Sequence, residues 1–118
     1  MKKTYQLDMN AHIVAHYDTF MGVLSSTHTT LTAPRPLRSC SAVVFDIVSN
    51  DTGEILYHVL KSYNTIVAFI DVETDTLYDV LRYVYGYTAT SASHIAKFSK
   101  DYGRGNWGCA DRQTWKAV

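Results

Sequence analysis

Ser41-Ala42-Val43-Val44-Phe45-Asp46-Ile47-Val48-Ser49 is followed by Asn50-Asp51-Thr52-Gly53 and then by Glu54-Ile55-Leu56-Tyr57-His58-Val59-Leu60-Lys61. Two runs rich in β-branched and aromatic residues flank a cluster that favours reversal. Gly accepts a positive φ at no steric cost, and Asn and Asp tolerate it. The stretch therefore predicts a β-hairpin with strands over 41–49 and 54–61, and Val43, Phe45 and Ile47 on one face of the first.

Working downstream, Ser62-Tyr63-Asn64 is a short connection to Thr65-Ile66-Val67-Ala68-Phe69-Ile70-Asp71. That run is apolar on both faces, as expected of a central strand. A polar turn, Val72 to Thr76, follows. Leu77 to Tyr85 fits two patterns: Leu77, Val80, Leu81 and Val84 a helix, Tyr78, Val80, Arg82 and Val84 a strand. A strand entering a loop is the favoured reading. Thr90 reads as the N-cap of a helix over 91–102, with Ala92, Ile95, Phe98 and Tyr102 on one face and Gly103 as its stop. Arg104 to Val118 lacks periodicity, but it carries Trp107 and Trp115, so this tail is expected to pack back on the domain.

Upstream, Met9, Ile13, Tyr17, Phe20, Met21 and Leu24 form one stripe at spacings of three and four. This predicts an amphipathic helix over 7–26, weakened at Gly22. Ser25 to Arg38 is rich in Ser and Thr and contains Pro34 and Pro36, which reads as a connecting loop. The expected fold is α+β: an N-terminal amphipathic helix, an antiparallel β-meander of three or four strands, and a later helix packed on the sheet. One domain over residues 1–118 accommodates it.

The composition supports folding without props. The chain is 47% hydrophobic, ordinary for a globular protein, and 118 residues bury a real core without metal or disulfide. The two cysteines, Cys40 and Cys109, show no CxxC spacing, so a reducing compartment is expected. No apolar run follows Met1-Lys2-Lys3-Thr4, and none reaches membrane-spanning length, so a cytoplasmic location and no membrane partner are expected. The net charge is zero but unevenly spread. Residues 41–79 hold Lys61 against seven acidic residues, whereas residues 80–118 hold six Lys/Arg against two Asp. An acidic middle and a basic end bear on partners.

Four constellations bear on function. Asp8, His12 and His16 recur every four residues, a spacing able to reach a metal. A third strong ligand is missing nearby, so they read as the polar flank of the helix, with no metal or cofactor expected. His94, at the start of the later helix, reads as an anchor rather than a general base, because no nucleophile with an obvious partner is adjacent. No nucleophile elbow, phosphate-binding loop, dinucleotide fingerprint or zinc ribbon is present, and an enzyme is not expected; a metal-dependent nuclease is the low-ranked exception. Lys97, Lys100, Arg104 and Arg112, mixed with Trp107 and Trp115, offer an alternative nucleic-acid surface, with cations for phosphate and rings for bases. A sequence pI near 6.9 argues against a dedicated binder. The acidic residues are more specific. In a meander, the turns at 50–53 and 72–76 fall at the same sheet end, gathering Asp51, Glu54, Asp71, Glu73 and Asp75 into one rim that suits a basic partner.

Residues 62–103 carry a resemblance. Ser62-Tyr63-Asn64-Thr65-Ile66-Val67-Ala68, then Gly86-Tyr87-Thr88-Ala89-Thr90-Ser91-Ala92-Ser93-His94-Ile95-Ala96-Lys97-Phe98, resembles a group of small phage and mobile-element proteins. Their pattern is a "SYNTxVA" strand, an acidic turn, a further strand and a "YSxTTSxHIxxF" helix start. This chain departs from it in a longer stretch from Asp79 to Gly86. Some small proteins of that setting are anti-CRISPR inhibitors of the type II effector nuclease. The resemblance thus implies a host CRISPR effector nuclease as partner, in the cytoplasm of a bacterial cell, and no catalytic residue. Its matching residues, Tyr63, Thr65, Ala68, Thr90, His94, Ile95 and Phe98, read as a signature that packs helix on sheet. A nucleic-acid-binding accessory protein and a virion-associated structural protein are the rival readings.

Overall fold

The computed structural model describes residues 15–37, 41–81 and 89–103. Helix α1 covers residues 15–24. Six strands follow: β1 (Thr29–Leu31), β2 (Arg35–Pro36), β3 (Val43–Ser49), β4 (Ile55–Ser62), β5 (Thr65–Asp71) and β6 (Thr76–Asp79). Helix α2 is Ala89–Tyr102. The strands form one antiparallel sheet in the order β1-β3-β4-β5-β6, with β2 also paired to β3. The fold is α+β, with the four-strand meander β3 to β6 at its centre.

Turn chemistry sets the meander. Between β3 and β4, Gly53 takes a φ of 74° and its N–H donates to the Ser49 carbonyl at 2.8 Å. Between β4 and β5, Ser62 pairs with Thr65, and Tyr63 and Asn64 sit at φ 50° and 69°. Two consecutive positive φ values match the right-handed twist of the flanking strands. A register shift between Ile47 and Val48 leaves Leu56 opposite no single partner, and its carbonyl accepts instead from the Val72 N–H at 3.1 Å.

Each face of the sheet is covered by a helix. Phe20 of α1 packs with Phe45, Ile47, Tyr57, Val59 and Phe69. Ile95 and Phe98 of α2 pack with Val44, Leu60, Ala68, Ile70 and Leu77 on the other face. Strands buried on both sides read as continuous apolar runs, which is why β3 to β5 show so little alternation. Phe20 and Phe69 stack with centroids 4.1 Å apart, and Tyr57 meets both edge-on.

Two expectations need correction. The stretch from Ser25 to Arg38 is not merely a loop. Its Thr29–Leu31 and Arg35–Pro36 segments both pair with β3 and form an interrupted edge strand. Proline is compatible with an edge position, where no neighbour needs its missing N–H. At the interruption, Thr32 substitutes side chain for backbone: its N–H donates to the Asp46 carbonyl at 3.0 Å, and its Oγ1 accepts from the Asp46 N–H at 2.9 Å. Thr90 is also not an N-cap. Ala89, a strong helix former, is already helical, so Thr90 lies exposed inside the first turn. Leu77 to Asp79 complete β6, Val80 lies just beyond it, and Leu81 is already helical, so the described part of this segment shows both patterns. Residues 82–88, Cys40, Cys109 and the tail from Arg104 lie outside the described residues.

Among the described residues no helix is long and apolar enough to cross a membrane, and no group of three His, Cys, Asp or Glu is placed to hold a metal ion. The apolar core accounts for folding, so melting temperature is expected to be the same with chelator, with reductant and untreated. A fall of many degrees under chelator, read by circular dichroism, would return attention to Asp8, His12 and His16.

Candidate functional site

The acidic residues of the middle segment converge through topology. The β3–β4 and β5–β6 turns leave the sheet at one end, and the β4–β5 turn leaves at the other. Asp51 and Glu54 come from the first turn, Asp71, Glu73 and Asp75 from the second. Both turns are internally bonded. The Ser49 N–H donates to the Glu54 carbonyl at 2.9 Å, and the Asp51 N–H to Ser49 Oγ at 3.2 Å. Asp71 Oδ1 accepts the Glu73 N–H at 3.1 Å, and Asp75 holds a left-handed φ of 53°. The rim is therefore ordered before any partner arrives.

Beside it lies a groove of about 710 Å³. Glu54, Asp71 and Glu73 form its charged wall. Val23 at the end of α1, with Ile55, Leu56 and Val72, forms an apolar floor. Ile55 is 40% exposed. Asp51 and Asp75 belong to the same end of the molecule but do not line the groove. Tyr57 does line it and was missed in the sequence, where it reads as one more core aromatic. Burial first, then the Asp71, Tyr78 and Glu73 charges, pushes its phenol pKa up.

A second polar cluster lies on the α2 face. Asp46 Oδ1 accepts from Arg35 Nη2 at 2.9 Å and lies 2.7 Å from His58 Nδ1. Arg35 Nε donates to the Tyr102 hydroxyl at 3.1 Å. Burial alone would raise the Asp46 carboxyl, but the His58 and Arg35 hydrogen bonds outweigh it and hold it below the usual carboxylate range. For Arg35 burial pulls downward, and the bonds to Asp46 and Tyr102 outweigh that too. One carboxylate thus clamps edge strand β2 to central strand β4, and Arg35 carries the link on to the end of α2. A charged residue inside an apolar strand was the available signal, since such a residue must be paired.

The third cluster joins the two halves of the sequence signature. Ser62 Oγ lies 2.9 Å from His94 Nδ1 and 3.1 Å from Ser91 Oγ, and all three residues are buried. His94 is the anchor its position suggested. Ala68, Ile95 and Phe98 are buried, as a packing signature requires. Tyr63, 61% exposed, and Thr90 are not, and that part of the packing expectation is corrected. A two-residue reversed turn aims the Tyr63 ring outward, within 5.7 Å of His94.

His94 and Asp46 make stability depend on pH. Burial, and secondarily the Lys97 charge, push His94 below its ordinary 6.5. The unfolded chain then takes up that proton first. The stabilisation is full above pH 6.5 and is lost as pH falls through the lower folded value. Asp46 repeats the pattern from its ordinary 3.8 downward. Melting temperature should therefore decline in two stages on acidification, and His94→Gln should remove the first. A flat profile through the first stage would contradict the burial argument.

Among the other sequence-derived residues, His16 is half-buried and stacks on Tyr78 with ring centroids 4.4 Å apart. Asp8 and His12 lie outside the described residues. In the alternative basic surface, Lys97 is half-buried and Lys100 exposed on α2, while Arg104, Trp107, Arg112 and Trp115 lie outside the described residues. No protein family, curated protein or solved structure matches the chain, so its function must be read from the chemistry of its own surface.

Proposed function

We propose that this protein is a binding inhibitor whose acidic rim docks on the basic nucleic-acid groove of a partner, and that the partner is the guide-loaded type II CRISPR nuclease. The supporting observation is the convergence of Asp51, Glu54, Asp71, Glu73 and Asp75 on one pre-ordered sheet end beside an apolar groove. Carboxylates so placed substitute for phosphates. They meet the arginines and lysines that read the short duplex motif or grip the displaced strand, and so obstruct target engagement. The choice of partner comes from the resemblance of residues 62–103 to small phage proteins, which also places the action in the host cytoplasm and assigns no cofactor and no catalysis.

Electrophoretic mobility shift separates this reading from a nucleic-acid-binding accessory protein. The protein alone should leave labelled target DNA unshifted, and it should abolish the shift produced by the guide-loaded nuclease. A shift of naked DNA by the protein itself would overturn the proposal and move attention to Lys97, Lys100 and the tail bearing Trp107 and Trp115.

A further inference from the structure

Tyr57 is only 9% exposed and lines the acidic groove, yet among the described residues its hydroxyl has no hydrogen-bond partner. Buried polar groups are nearly always paired, so this hydroxyl is available to a polar group that enters the groove. The ring does not drift. Phe20 and Phe69 hold it edge-on at 5.3 and 5.7 Å. The ring is thus held in the groove lining, where the Asp71 and Glu73 charges act on its phenol.

We infer that the groove beside Tyr57 is an acceptor for the side chain of an arginine carried by a protein partner. The inference rests on the rim-docking reading above and names the group that the rim receives.

Charge comes first. Glu54, Asp71 and Glu73 line the groove without a cation among its lining residues. The C-terminal end of α1, which contributes Val23, adds the negative pole of a helix dipole. A cation is favoured and a phosphate is repelled.

Shape selects among cations. Val23, Leu56 and Val72 offer an apolar bed for an aliphatic stem, which a bare metal ion does not use. At the head, a guanidinium carries five N–H donors in a planar fork. It can give two to one carboxylate and a further one to the phenol oxygen. An ammonium is a compact, strongly hydrated point charge and serves several fixed acceptors less well. The phenol oxygen accepts from the guanidinium, and its own proton is free to turn toward Asp71 or Glu73, whose charges already act on it.

Size selects the source. About 710 Å³ falls within the range of ligand pockets and exceeds what one arginine side chain fills. Exposed Ile55 sits in the remaining lining and provides an apolar contact for residues flanking that arginine. A segment of protein chain meets all three features, and a free polyamine meets only the charge.

The test uses the full chain, isotope-labelled, titrated with a short neutral-flanked peptide bearing one central arginine. The controls are the same peptide with citrulline, which keeps the planar head without charge, the same with lysine, and spermidine. Amide shifts should move with the arginine peptide at Val23, Ile55, Leu56, Tyr57 and Val72, and should stay still with citrulline. Lysine and spermidine should bind about tenfold or more weakly, the loss expected when a bidentate charged contact is given up. Tyr57→Phe, which removes only the hydroxyl, should weaken the arginine peptide roughly threefold to tenfold while the melting temperature holds. Equal binding of citrulline or spermidine, or shifts confined to other residues, would overturn the inference.

The two readings fail separately. If the arginine peptide binds here but nuclease association ignores charge reversal at the rim, the pocket stands and the nuclease assignment falls. If rim reversal slows nuclease association while the peptide and Tyr57→Phe change nothing, the rim stands and the pocket falls.

Discussion

Phe98→Ala is expected to lower the unfolding free energy by about 3–5 kcal/mol. Phe98 is fully buried and belongs to the core cluster between α2 and the sheet. It packs within one cluster with Val44, Leu60, Ala68 and Ile70, and its ring lies 5.6 Å from that of Tyr102. Burial of the ring accounts for about 1.5–3 kcal/mol, and the remainder is the cavity left when a rigid sheet cannot collapse into the gap. The denaturant midpoint should fall with an unchanged slope. A loss under about 1 kcal/mol would mean that α2 is not seated on the core as described. Thr90→Ala is the internal comparison. Its exposed position inside the first turn removes the reason for a capping loss, and the substitution should fall within about 0.5 kcal/mol of the wild type.

Asp51→Lys combined with Glu73→Lys is expected to slow association with the guide-loaded nuclease by about tenfold or more at low salt. Electrostatic steering contributes roughly 10- to 1000-fold to association rates, and the double reversal inverts two of the five rim charges. The choice of positions follows from the backbone. Both side chains are exposed, one on each turn. Asp75 is unsuitable, because its φ of 53° suits Asp or Asn and would strain a lysine. Asp71 is unsuitable too, because its carboxylate accepts the Glu73 N–H that shapes the turn. With these avoided, the melting curve should stay close to that of the wild type. The native protein should also lose affinity as salt rises, since a Debye length of about 10 Å at 0.1 M already screens the outer charges. Association kinetics at two salt concentrations, paired with inhibition of target cleavage, decide the matter. A double variant that associates and inhibits like the wild type would reduce the rim to solvated turns.

Much of the fold was legible because its determinants are local. The hairpin of β3 and β4 follows from two apolar runs around Asn50–Gly53, β5 from its unbroken apolar run, and α2 from the face shared by Ala92, Ile95 and Phe98 with a stop at Gly103. There the Gly103 N–H closes on the Ser99 carbonyl at 2.9 Å, and an added Cβ would lie just as close to that oxygen. The acidic rim was legible for the same reason. Strand alternation and turn chemistry fix which turns share a sheet end, so the gathering of Asp51, Glu54, Asp71, Glu73 and Asp75 needs no side-chain geometry.

Other features depend on neighbours that chain order does not reveal. Ser25 to Arg38 looks like a loop because its propensity is weak, and only the free edge of β3 draws Thr29–Leu31 and Arg35–Pro36 into the sheet. Tyr57 reads as a core aromatic until the end of α1 and the two turns form a groove that it lines. The Arg35–Tyr102 hydrogen bond joins residues 67 apart in sequence. The Ser62–His94 bond spans 32 residues, and the Arg35–Asp46–His58 clamp draws on three strands. Sequence by itself determined the central strands, the later helix and the end of the sheet where charge collects, because periodicity and turn preference act over a few residues. Only the tertiary structure decided which polar groups are paired and which is left waiting, because pairing depends on distances set by how the helices and edge strands pack on the sheet.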